Sequence, residues 1–232
     1  MQENVSNTPL THATSDALQS RGAFLVKTYN HLLSAILGFT LIEIVLFKTG
    51  WAERIATTML GVSWLFVLGG FVVVSWIASR AAHTARSLPA QYAALIGFVF
   101  AEALIFVPML FIAFTYQPGA IQSAAAVTLI GFAVLTAIAY TTRKDFSFLG
   151  GLLRWGMGLA LVAIVAGLLF GFQLGTWFSV IMVGLAGAAI LYDTSNVLHH
   201  FPEDRYVAAA LELFASVALM FWYVLRIFLS RD

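Results

Sequence analysis

The chain has no cysteine, only five prolines, and charge at only 10% of its 232 positions. Without a thiol there is no disulfide, no thiolate metal site and no cysteine nucleophile. The twelve lysines and arginines are dispersed between apolar stretches and form no patch able to follow a phosphate backbone, so nucleic acid is not an expected partner. Enzyme signatures are missing as well. There is no His-Glu-x-x-His zinc motif, no Gly-x-Ser-Gly serine motif with a matching histidine, and no Gly-x-Gly-Asp partner for the Tyr192-Asp193 pair. The last apolar stretch holds no lysine for a Schiff base. No enzymatic chemistry and no bound cofactor are therefore expected.

Apolar sequence fills the space. Hydrophobic residues make up 61% of the chain, and the mean hydropathy of +0.91 lies outside the range of soluble domains. Seven apolar runs, near 24–47, 56–78, 90–113, 121–141, 149–172, 176–198 and 206–229, are each long enough to cross a hydrocarbon core roughly 30 Å thick. They are continuously apolar instead of alternating, which favours helices over a β-barrel. The expected fold is all-α, a polytopic bundle of seven transmembrane helices over 24–232, preceded by a polar, mobile tail over 1–23 that lacks the layout of a cleavable signal peptide.

Basic residues set the expected orientation. With a cytoplasmic N-terminus the inside collects Arg21, Lys27, Arg80, Arg86, Arg143, Lys144, Arg154 and Arg205, and the outside holds Lys48, Arg54, Arg226 and Arg231. Eight against four favours N-terminus inside and C-terminus outside. Gly184, Ala186, Gly187, Ala188 and Ala189 allow close backbone approach, so the sixth span is expected to be central or tightly packed.

Within these spans a few acidic residues stand out. Asp193 interrupts the sixth run, where an ionisable group costs roughly 2.5–3.5 kcal/mol on insertion scales and so faces a bundle interior, a partner or water. A short hairpin through His199-His200-Phe201-Pro202-Glu203-Asp204 brings the seventh span back alongside, with Glu212 at a similar depth. Two carboxylates facing one another in low dielectric would share a proton and act as a pH switch or cation site. The alternatives are that Asp193 caps or bonds neighbouring backbone and hydroxyls while Glu212 faces headgroups, or that Arg80 or Arg86 supplies an ion-pair partner. Glu102, near the middle of the third span, needs a partner or water. Glu43 is expected at the interface, snorkelling or paired with Lys48, and Pro108 as a kink. Arg143-Lys144-Asp145 reads as a charged turn with Asp145 at a helix start, and Gly150-Gly151 as a bend or close helix contact.

Three segments carry a family resemblance: Thr141-Thr142-Arg143-Lys144-Asp145-Phe146-Ser147-Phe148-Leu149-Gly150-Gly151, Leu191-Tyr192-Asp193-Thr194-Ser195-Asn196, and the ending Tyr223-Val224-Leu225-Arg226-Ile227-Phe228. With these the chain resembles the Bax inhibitor-1 family, in particular its YccA-type bacterial branch. The resemblance implies a seven-helix fold with the last helix surrounded by the other six and an acidic site toward the cytoplasm. It also implies two roles that do not exclude one another: association with an FtsH-type membrane protease and prohibitin-like proteins in the bacterial inner membrane as the biological role, and a pH-sensitive calcium leak, with Ca2+ as transported ion, as an intrinsic activity. In the family pattern the residue matching Asp193 pairs with a second aspartate on the last helix. Ser216 stands at that position here, with Glu212 one turn away as a substitute.

Overall fold

The computed structural model describes residues 8–85 and 87–230, so Arg86, the first seven residues of the expected tail, and Arg231 and Asp232 lie outside the described residues. Among the described residues there are eight α-helices and no strand. They are α1 (Thr8–Lys48), α2 (Trp51–Leu60), α3 (Trp64–Thr84), α4 (Leu88–Tyr116), α5 (Ala120–Thr142), α6 (Leu149–Phe170), α7 (Gly175–His199) and α8 (Tyr206–Leu229), with a 3-10 turn at Glu203–Arg205 before α8. Seven of them, all but α2, are long and apolar enough to cross a membrane.

The second apolar run departs from the expected 56–78. It breaks at Gly61-Val62-Ser63, where the Gly61 N–H bonds back to the Thr57 carbonyl at 3.1 Å and Ser63 takes an extended conformation. A three-residue break barely lowers an averaged hydropathy, so the run reads as continuous. The separate helix α2 is amphipathic: Ala52 and Ala56, four residues apart, pack against Val107 of α4, while Trp51, Glu53 and Arg54 are exposed. At the other end α1 begins at Thr8, ahead of the expected 24. No glycine or proline lies between Leu10 and Arg21, and propagating an existing helix adds a bond for each residue fixed.

The last helix is the axis of the bundle. Val207, Ala208, Ala209, Ala210, Leu211 and Leu213 are all buried, so α8 is enclosed around most of its circumference over its first two turns. It packs against α7, α1, α5, α4 and α3. Its alanines let those neighbours come close. The small residues of α7 serve this arrangement without making α7 the centre: Ala186 and Gly187 are buried toward α5 and α8, whereas Gly184 faces outward. Helix α6 stands outside α7, across a cavity from α8, so the last helix is not enclosed equally by all six others. Helix α4 continues through Pro108, which is buried.

Candidate functional site: an acidic cluster where α7 meets α8

At the end where the last two spans are joined, Asp193 is buried in α7 and its Oδ2 accepts a hydrogen bond of 2.5 Å from the Ser216 hydroxyl of α8. Both positions are forced by packing. Ile190 and Val197, which flank Asp193 along α7, are fully buried, and Val217 beside Ser216 is buried too, so the two polar groups meet inside a packed interface.

Glu212 lies one turn before Ser216 and within electrostatic reach of Asp193. Its own contact is elsewhere: Oε1 sits 2.5 Å from Nε2 of His83, at the end of α3. The expected face-to-face carboxylate pair is thus resolved into two contacts, Asp193 with Ser216 and Glu212 with His83. A serine is shorter than an aspartate and donates a proton, so Ser216 satisfies Asp193 without adding charge.

Among the described residues no arginine is paired with Asp193, and Arg86 lies outside them. Arg80 is exposed on α3, its guanidinium 5.6 Å from the Trp76 ring. Two other arginines tie down the same end of the bundle. Arg21 donates to the Val197 and Phe201 carbonyls, both at 2.6 Å, and Arg205 donates to those of His83 and Ala85 at 2.7 and 2.8 Å. Each caps a helix C-terminus, where carbonyls lack partners and cations are favoured.

The charged turn of 143–148 is tied to the same end. Asp145 Oδ1 accepts from the Ser147 N–H at 2.9 Å, Oδ2 lies 3.0 Å from His200 Nε2, and the Phe146 N–H donates to the Ser195 hydroxyl at 2.9 Å. The Ser147 backbone N–H, then its side chain and His200, hold the Asp145 carboxyl below the usual carboxylate range. Gly150 provides the close contact expected of it, since a Cβ there would meet the Tyr192 ring at 2.9 Å; Gly151 faces open space. His199 turns to the Ser195 carbonyl and His200 to Asp145, and among the described residues no group of three or more His, Asp or Glu side chains is placed to hold a metal.

On the other side of Ser216 a cavity of about 990 Å³ opens between α3, α4, α6, α7 and α8. Its polar lining includes Ser75, Glu102, Ser179, Ser216, Tyr223 and Arg226, so Glu102 faces this space instead of a partner side chain. Ser216 is shared: it lines the cavity and bonds Asp193.

Two residues of consequence were not read from the sequence as site residues. The signal for His83 was a titratable residue in the last turn of a span, among few polar neighbours. Glu43 is a correction. It is 7% exposed and neither of its carboxylate oxygens has a hydrogen-bond partner, while Lys48 is exposed. Its register on α1 turns it inward toward α5 and α8, which hydropathy alone does not reveal.

The family model described as "Inhibitor of apoptosis-promoting Bax1" (Bax1-I) matches residues 21–232. The chain belongs to the Bax inhibitor-1 family. Within that family it is similar to the Escherichia coli K12 protein named modulator of FtsH protease YccA, 36% identical over 108 residues, 45% of this chain and 49% of the relative. An uncharacterized protein of Pseudomonas aeruginosa is 39% identical over 111 residues, again about half of each chain (47% and 49%). Protein LIFEGUARD 4 of Arabidopsis thaliana is 28% identical over 221 residues, covering 91% of this chain and 86% of the relative. The chain thus spans about half the length of these two bacterial relatives, and most of the length of the plant one.

Proposed function

We propose that this Bax inhibitor-1 family protein is a non-catalytic modulator of an FtsH-type membrane protease, and also a substrate for it. It would reside in the bacterial inner membrane with its N-terminus in the cytoplasm and prohibitin-like proteins as further partners. The observation that carries the reading is the 36% identity to a protein named as a modulator of FtsH protease. The charge distribution is in keeping with it: Arg21, Lys27, Arg143, Lys144, Arg154 and Arg205 gather at the Asp193 end, the side that basic residues keep cytoplasmic. There α1 extends beyond its apolar span as a helix from Thr8. Such an extension is a suitable handle for a protease facing the cytoplasm.

The test is degradation of a membrane-protein substrate by an FtsH-type protease in proteoliposomes, with and without this protein, and with a version lacking residues 1–20. The reading predicts a change in degradation rate that the shortened version no longer produces. An unchanged rate in the presence of folded protein would overturn it.

A second reading is favoured by the cavity. A space of about 990 Å³ lined by Glu102, Arg226 and Ser216 supports a pH-sensitive cation leak, with Ca2+ as the transported ion and the Ser216–Asp193 contact as the gate. Calcium flux into liposomes, measured across pH for wild type, Asp193→Asn and Glu212→Gln, tests it. A leak predicts pH-sensitive flux altered by Asp193→Asn; flux equal to that of empty liposomes at every pH would remove it.

A further inference from the structure

The buried Glu43 belongs to neither the acidic cluster nor the large cavity. It faces a separate groove of about 400 Å³ between α1 and α5, floored by α8. The two walls each pack on α8 but hardly on one another, which leaves the groove between them. Its lining is apolar apart from Glu43, Thr40 and Thr128. Thr40 already donates to the Ile36 carbonyl at 2.8 Å. The other two are unsatisfied: both Glu43 oxygens and the Thr128 hydroxyl are buried without a hydrogen-bond partner.

A desolvated carboxylate with no donor is costly, and the cost is relieved by a cation or by several N–H groups. Ile44, Phe114 and Leu129 line the groove and are themselves substantially exposed on the apolar exterior, so the groove opens toward lipid acyl chains. A ligand arriving from that side carries an apolar chain. A volume of about 400 Å³ is near the lower end for pockets that enclose drug-sized molecules. One chain with a compact head fits such a space, and a two-chain phospholipid does not.

We infer that the α1–α5 groove binds a single-chain amphiphile with a protonated primary amine, the ammonium on Glu43 and Thr128 and the chain along Phe39, Phe114 and Phe221. An ammonium group offers three donors, matching the three unpartnered oxygens. The floor residues Phe214 and Val217 flank Ser216 on α8, so an occupant bears on the turn that bonds Asp193.

Labelled dodecylamine is titrated into the protein in phosphatidylcholine nanodiscs, with empty nanodiscs subtracted and dodecanol as the uncharged comparison. The expected result is saturable one-to-one binding, stronger than that of dodecanol by about tenfold or more, lost by a similar factor in Glu43→Gln and unchanged in Glu102→Gln. Leu129→Trp, which narrows the groove from α5 without touching a carboxylate, should weaken binding likewise and decides the matter if Glu43→Gln does not fold. Uptake proportional to lipid, equal binding of dodecanol, or insensitivity to both groove variants would overturn the proposal. So would displacement of dodecylamine by nanodiscs containing phosphatidylethanolamine, which would make a two-chain lipid the occupant.

Discussion

Ser216 donates its hydroxyl to Asp193 across the α7–α8 interface at 2.5 Å, and both residues are buried. Removing that donor leaves a carboxylate without its partner in a packed interface. Ser216→Ala should lower stability by about 1–3 kcal/mol, measured by unfolding in mixed detergent micelles. A stability equal to wild type would mean that water or another group replaces the hydroxyl.

Arg205 satisfies carbonyls at the end of α3 and forms part of the turn leading into α8, so Arg205→Ala should cost about 1–2 kcal/mol. The same substitution frees His83 and Ala85 to move. Hydrogen exchange in the last turn of α3 should therefore accelerate, while exchange at the far end of that helix stays unchanged.

Glu212 and His83 form a partly exposed pair, with side chains 27% and 38% accessible. Solvent screening limits such pairs, so a double-mutant cycle of Glu212→Gln and His83→Ala should return a coupling of about 0.2–1 kcal/mol that shrinks with added salt. A larger, salt-insensitive coupling would contradict the partial exposure of the pair.

Asp145 is an exposed group whose carboxyl is held below its ordinary range by the Ser147 N–H, with His200 contributing. A depressed folded-state value adds stability that is present above the unfolded value, near 4, and is lost as pH falls through the folded one. Asp145→Asn keeps the acceptor oxygen but removes the charge. The difference in unfolding midpoint between wild type and variant should be full above about pH 4 and shrink below it; a difference that grows on acidification would reverse the assigned sign.

Gly150 and Gly151 are adjacent but not equivalent. A side chain at Gly150 meets Tyr192, whereas Gly151 faces open space. Gly150→Leu should destabilise by about 1–3 kcal/mol and Gly151→Leu by less than about 0.5 kcal/mol, read from the same unfolding assay.

Much of this protein is legible without coordinates. Seven spans, the all-α class and the family follow from long apolar runs and short motifs, because a bilayer demands length and continuous hydropathy and leaves few other solutions. Asp193 stood out because an acid in such a run is expensive. Tertiary structure decided what a one-dimensional average cannot hold. The break at 61–63 hides in a hydropathy window, since three residues change it little. Glu212 meets His83, 129 positions away in the chain, and only the packing of α3 beside α8 makes them neighbours. Glu43 and Arg80 illustrate the same limit from opposite sides: one turns inward without a partner and the other outward onto Trp76. The direction a side chain faces depends on helix rotation, and rotation is set by the surrounding helices instead of by the residue itself.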